Sequence, residues 1–334
     1  AWNVSSVINM SSMFKGATKF NANLSQWKPK NTTNMDAVFS GASSFTGNDL
    51  FGWTVSKVDS HIDFANGWGL RNVEPNWDGL VRIDISNAFK VAVEGSSFAF
   101  LNDHRVAGLI YSYSVDCDSD GWTVSEAVNI TEGYTCYYDE DTNHTVSIVG
   151  TLPSFRADED SKDKIVLLEQ WGDIAWENLS YAFAGAIHLR EGNGSVGVPN
   201  LSATSNLTGM FDNATAFNGD LSDWNMSSVQ RVEHMFRSAT AFDSNISSWD
   251  MSHVLATTQM FYGASSFNQD LSNWDVSSST NMDFMFYGAE AFSDNDLTGW
   301  TVEQVGSRTE FGGNWGHNNK EPYWDGNQLR DLNT

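Results

Sequence analysis

Residues 209–229 read GMFDNATAFNGDLSDWNMSSV, residues 234–254 HMFRSATAFDSNISSWDMSHV, residues 259–279 QMFYGASSFNQDLSNWDVSSS and residues 284–305 FMFYGAEAFSDNDLTGWTVEQV. The same unit is written four times, with anchor phenylalanines Phe211, Phe236, Phe261, Phe286 and then Phe311 at steps of 25 residues. A fixed period of this length is the mark of stacked repeats, each unable to bury its apolar face alone. Phe14, Phe39 and Phe64 carry the same frame near the start, and Phe183 precedes Phe211 by 28, which places a three-residue bulge in that coil.

Within a unit, Phe267 to Trp274 alternates large apolar with small polar residues, the pattern of a short half-buried strand. Asn281 to Ala289 sets apolar side chains at i, i+3 and i+4 before a glycine, the pattern of one or two helical turns with a glycine cap. Stacking such coils aligns equivalent residues in columns. Trp224, Trp249, Trp274 and Trp300 form one, Met235, Met260 and Met285 a second, and Asn218 with Asn268 a third, where side-chain amides satisfy the backbone at a bend. A tryptophan column also suits a sugar-binding platform, but at this spacing core packing is the reading taken.

These units resemble the BspA-like leucine-rich-repeat surface proteins, in the branch whose coils read WDVSxVTNMxxMFxGAxxFNxDLS. The resemblance covers residues 1–79 and about 165–326. It implies an α/β repeat solenoid of short parallel strands and short helices, on an extracellular protein often described as adhesive, and it carries over no catalytic residues.

A longer period lies over the short one. Residues 1–79 laid on 248–326 give 38 identities, including a terminal stretch that departs from the 25-residue unit after its last anchor: Phe64, Trp68, Gly69, Glu74, Pro75, Trp77, Asp78 and Gly79 recur as Phe311, Trp315, Gly316, Glu321, Pro322, Trp324, Asp325 and Gly326. The reading is a super-repeat of about 247 residues. It divides the chain into the end of one solenoid (1–79), an all-β module (80–160), a second solenoid (161–326) and the start of another module (327–334). In the module, strands are expected at Ser97 to Leu101, Gly108 to Val115, Ala127 to Thr131, Tyr134 to Tyr138 and His144 to Val149. Its segments YSVDCDSDGW and HTVSIVG resemble the small PKD-like β-sandwiches, and the run from Lys162 resembles the family's usual lead-in to a first coil. Phe89, 25 residues after Phe64, lacks the motif around it and is read as a coincidence of spacing.

Cys117 and Cys136 are the only cysteines. A bridge between them closes a loop worth about 3 kcal/mol on the chain-entropy estimate and needs an oxidising compartment; the other reading is a pair of buried thiols. Asp116, Asp118 and Asp120 before Gly121 form DxDxDG, which suits calcium, but the twelfth position of an EF-hand loop is Ala127 rather than glutamate, and a plain acidic turn is the competing reading.

Thirteen Asn-x-Ser/Thr sequons are candidates for N-glycosylation: Asn3, Asn9, Asn23, Asn31, Asn129, Asn143, Asn178, Asn193, Asn200, Asn206, Asn213, Asn225 and Asn245. Repeat consensus accounts for Asn9 and Asn206, whereas Asn129, Asn143, Asn193 and Asn200 lie outside the coil frame. The seven histidines show no paired metal spacing, and the recurring Asp270 and Asp275 read as solvated capping aspartates rather than a glycosidase pair. No enzymatic role and no cofactor, calcium aside, is expected.

A formal charge of −24 repels phosphate backbones, so nucleic acid is excluded as a partner. No apolar run reaches the roughly 18 residues of a membrane span. Ala1 to Val7 opens inside a repeat without an initiator Met, so any secretion signal is expected upstream. The expectation is an extracellular structural glycoprotein of 247-residue beads, associating end to end in a fibre or cell-surface appendage, with an adhesin or receptor recognising protein or glycan as the alternative.

Overall fold

The structure, a computed structural model, describes residues 2–72, 74–75, 77, 81–101, 108–119, 122–123, 128–138, 141–192 and 196–324. The chain forms two compact units, Ala1–Val81 and Arg82–Thr334.

In both units each coil is a run of hydrogen-bonded turns, and the expected α/β, leucine-rich-repeat-like solenoid is not what forms. Among the described residues there is no α-helix; the helical element is a 3-10 turn at Lys162–Lys164. The reason lies in where the backbone N–H groups go. At Met282, Phe284, Phe286 and Gly288 they donate to carbonyls of the next coil, at Ser307, Thr309, Phe311 and Gly313. Only the intervening Met285, Tyr287 and Ala289 donate three residues back, to Met282, Phe284 and Phe286. An α-helix would keep every N–H for itself and leave nothing for stacking. Left-handed residues break each coil twice, at Gln259 (φ 54°) and Gly263 (φ 66°), then at Phe284 (φ 55°) and Gly288 (φ 72°). The i, i+3, i+4 spacing therefore marks ladder positions instead of one helical face.

The expected strands of the coils are equally reduced. Each coil makes single-residue parallel bridges, in the series Asn206, Arg231, Ala256, Asn281 and Ser307. Side chains hold the stack. The Phe211, Phe236, Phe261 and Phe286 rings follow one another at 5.8, 5.7 and 5.4 Å, and each lies on a second phenylalanine of its own coil, as Phe236 does on Phe242 at 3.8 Å. The tryptophan column is core: Trp224, Trp249, Trp274 and Trp300 are nearly fully buried and stacked at 6.3 to 6.5 Å. The indole N–H groups of Trp249, Trp274 and Trp300 donate to the carbonyls of Leu221, Ile246 and Leu271. At the bend, Asn218, Asp243 and Asn268 each accept a backbone N–H of the next coil.

The β region contains β1 (Val81–Arg82), β2 (Phe89–Glu94), β3 (Ser97–Leu101), β4 (Ser112–Asp116), β5 (Trp122–Thr123), β6 (Tyr134–Tyr137), β7 (Asn143–Thr151), β8 (Arg156–Ala157), β9 (Ile165–Gln170) and β10 (Arg190–Glu191). A five-stranded sheet runs β10-β9-β2-β7-β4 and a three-stranded sheet β6-β3-β8. Their apolar faces share a core, with Phe100 of β3 5.9 Å from Tyr113 of β4. The Cys117–Cys136 disulfide ties the residue just after β4 to β6. β9 and β10 lie beyond residue 160 yet belong to the same sheet, and the long coil between Phe183 and Phe211 contributes β10. Phe89 is a fully buried residue of β2.

This β region also covers the first coil of its unit. Phe155 and Trp171 pack on Phe183 at 5.6 and 6.0 Å, and Trp171 meets Trp224 edge-on at 5.5 Å, standing where a preceding coil would stand.

Candidate functional site

Two constructions recur on the coils and are the places where function can be sought: the polar bends and the terminating caps. At the bends, the side-chain oxygen of an Asn accepts the N–H two residues on. Asn3, Asn9, Asn23, Asn178, Asn200, Asn206, Asn225 and Asn245 all do so. Asp220, Asp250, Asp270, Asp275 and Asp296 make the same turn with a carboxylate. The hydroxyl at the third position reinforces it, Ser202 donating to Asn200 Oδ1, Ser247 to Asn245, Ser252 to Asp250 and Thr298 to Asp296. The Asn-x-Ser/Thr triplets of the coils are thus the chemistry of an Asx bend, which Asp-x-Ser/Thr serves equally well. That accounts physically for the number of sequons in the coils. Hydrogen bonds from Ser222, Ser252, Ser272 and Ser277 hold the carboxyls of Asp220, Asp250, Asp270 and Asp275 below the usual range, so these aspartates stay ionised.

The sequons occupy unlike surroundings. Asn178 is buried, and Asn31 donates its amide to the Ser5 carbonyl at 2.9 Å while accepting from Lys57. Asn129, Asn143 and Asn213 are exposed, Asn129 and Asn213 with left-handed backbones. Asn193 lies outside the described residues.

Asp116 is fully buried at the end of β4, and its Oδ1 accepts the N–H groups of Asp118 and Ser119 at 3.2 and 2.7 Å; Asp118 is exposed. Asp120, Gly121 and Ala127 lie outside the described residues. Among the described residues no three His, Cys, Asp or Glu side chains are grouped to hold a metal ion. Burial first, then the Asp118 and Asp116 charges, push the nearby Tyr138 hydroxyl up. No helix among the described residues is long and apolar enough to cross a membrane.

The caps close both stacks in the same way. Ordinarily a coil's anchor Phe N–H donates to the residue before the next anchor, as Phe14 to Val38 and Phe261 to Met285. At each end the register moves by one: Phe39 donates to Phe64 and Phe286 to Phe311, so Phe64 and Phe311 take the methionine position rather than the phenylalanine one. Asp36 and Asp283 secure the shift. Asp36 accepts from Ser60 and from the Ile62 N–H, and Asp283 from Ser307 and from the Thr309 N–H.

Phe64 and Phe311 stand edge-on to the rings before them at 84° and 83°. Trp68 and Trp315 then cover the open phenylalanine pairs, at 5.8 Å from Phe39 and 5.9 Å from Phe286. Trp77 and Trp324 each lie 5.0 Å from the turned Phe, and their indole N–H groups donate to Glu74 and Glu321. A ring turned edge-on gives a further coil no face to stack on.

Comparison with known proteins falls in the repeat. Residues 1–78 and 177–300 match the family described as Mycoplasma protein of unknown function, DUF285. The chain belongs to that family. No curated protein and no solved structure matches it. The matched segments are the turn-built coils of both units; of the β region, only β10 falls inside the match and β1 to β9 lie outside it.

Proposed function

We propose that the chain serves as extracellular scaffolding, in beads of about 247 residues that each join a β region to a capped coil stack and that together build a fibre or surface appendage. The observation that carries this reading is the cap made twice, with the same register shift, edge-on phenylalanine and covering tryptophans at a separation of 247 residues. A device that ends a stack, repeated at fixed distance, suits a row of discrete beads better than one continuous stack. The Cys117–Cys136 disulfide supports an oxidising location, and exposed sequons such as Asn129 and Asn143 support sugars there. Electron microscopy of native material, with intact and deglycosylated masses, tests the proposal. Filaments of regular axial repeat and a mass loss on deglycosylation are expected; isolated, non-repeating, unglycosylated monomers would sink it.

Recognition of a glycan or protein is the second reading, favoured by one feature of the second unit: a polar cleft where the β region meets the first coils.

A further inference from the structure

A cleft of about 240 Å³ lies between β8 with the turn after it and the coils that start at Tyr181 and Gly209; Arg156, Glu159, Lys162, Tyr181, Asp212 and Asn213 line it. Drug-sized pockets begin at about 300 Å³, so this one suits a single small ring.

The backbone is shaped to its lining. A Cβ at Gly209 would come within 2.3 Å of the Tyr181 ring, and one at Gly185 within 2.9 Å of the Lys162 stem. Tyr181 and Lys162 therefore lie directly on glycines with left-handed backbones (φ 62° and 78°). Asp212, buried, is neutralised by Arg237, whose Nε and Nη2 donate to its two oxygens at 2.8 and 2.5 Å. Asp212 thus offers hydrogen-bonding oxygens without a bare charge.

In the rest of the lining, one carboxylate bridges two cations. Glu159 Oε1 meets Arg156 at 3.3 Å and Oε2 meets Lys162 at 2.5 Å. The bridging side chain is itself 71 % exposed, while the cations it joins are 32 and 38 % exposed. A surface pair of this kind is weak, so another carboxylate can take its place at little cost.

We propose that this cleft binds a carboxylate-bearing sugar, with Glu159 occupying the carboxylate position when the ligand is absent. The ligand carboxylate replaces Glu159 between Arg156 and Lys162, the ring lies against Tyr181, and its hydroxyls meet Asp212 and Asn213. The bridging geometry favours a carboxylate as the anionic group, and the residues beyond it favour a hydroxylated ring. The proposal deepens the recognition reading and is independent of whether beads form a fibre.

The test is calorimetric titration of the full chain with glucuronate, glucose and inorganic phosphate, on the wild type and on Glu159→Gln, Arg156→Ala and Tyr181→Ala, with melting curves as folding controls. Glucuronate should bind at least about tenfold more tightly than glucose or phosphate, since a charge-assisted bidentate contact and the ring contacts act together. Glu159→Gln removes the competing carboxylate and should tighten glucuronate binding about fivefold, while Arg156→Ala should weaken it about tenfold. Because Glu159 is exposed, its variant should melt as the wild type does. No glucuronate binding by wild type or Glu159→Gln would overturn the proposal, as would unchanged affinity in Glu159→Gln or phosphate binding as tight as glucuronate.

Discussion

The cap at Phe64–Trp77 and the cap at Phe311–Trp324 share a skeleton and differ in everything laid over it. In the first, His61 lies flat on Trp77 at 4.1 Å; in the second, Arg308 sits 4.7 Å above Trp324. The segments leading to them differ more. Residues 1–79 carry six Lys and Arg against six Asp and Glu, whereas residues 248–326 carry two against eleven. Lys28 stands where the other copy has Asp275, and donates to the Gly52 carbonyl at 2.6 Å. Ring stacking and backbone register therefore fix the coil, while the charge on its rim is free to vary, which makes the rim the part of the surface able to distinguish one copy from another.

The largest expected effect concerns the tryptophan on which each cap stands. Trp53 and Trp300 are both nearly fully buried, each stacked on the tryptophan of the coil before it at 5.9 and 6.3 Å and each edge-on to the turned phenylalanine at 6.4 Å. Trp53→Ala and Trp300→Ala should each cost about 4 kcal/mol. Repeat stacks need not unfold as one, so hydrogen exchange of peptides from each stack under urea is the suitable measurement. A loss in one stack without a comparable loss in the other would show that the two are not held alike.

The next effect should be alike in both copies. A Cβ at Gly69 would lie 2.4 Å from the Phe45 carbonyl oxygen, and one at Gly316 2.4 Å from that of Phe292 and 2.1 Å from the Ser293 hydroxyl. Gly69→Ala and Gly316→Ala should each cost about 2–3 kcal/mol by forcing the cap away from its coil. A large cost at one and none at the other would show that the caps are not the same device.

Much of this could be read in the chain beforehand, and the exceptions have one cause. The 25-residue period, the tryptophan column, the Asn bend and the recurrence of the terminal stretch are all statements about which residue sits above which, and a repeat writes those directly. So did β3, at Ser97–Leu101, whose alternation is regular. What failed was the local conformation of the coil. The spacing of Met282, Met285, Phe286 and Ala289 fits a helix as well as it fits a stack of turns; only the destination of the alternate N–H groups separates the two, and that is set by the neighbouring coil. The one-residue shift at Phe64 and Phe311 was hidden similarly, because the 25-residue spacing is kept while the pairing moves. Phe89 in β2 and the β9 strand within the expected lead-in to the coils were obscured because their partners lie across the β region. The cleft combines residues from Arg156 to Asn213 and has no motif at all.

A smaller effect is expected from exchanging the side chains that lie on the cap tryptophans. Arg308→His gives up a guanidinium–indole contact at an exposed site and should lower the stability of the second cap by about 0.5 kcal/mol; His61→Arg should raise that of the first by a similar amount. Hydrogen exchange within Phe64–Trp77 and Phe311–Trp324 reads both, and a change of the opposite sign in either would mean that the ring contact is incidental.

The smallest effect belongs to a pair that the second copy has and the first lacks. Lys320 donates to Asp296 at 2.6 Å, and this bond, with those from Thr298, holds the Asp296 carboxyl down at about 2. Lys320 stands where the first copy has Val73. An aspartate in an unfolded chain titrates near 3.9, so the folded form binds its proton less readily. The resulting stabilisation is fully present above about pH 4 and is lost as the pH falls toward about 2. Both side chains are about half exposed, so solvent and salt screen the pair and the increment is small. Lys320→Val, the exchange that makes the second cap resemble the first, should lower stability slightly at neutral pH and flatten its decline between pH 4 and pH 2. Acid unfolding at low and high salt measures this: the two proteins should converge at high salt, and an identical acid slope at low salt would show that Lys320 contributes nothing to the cap.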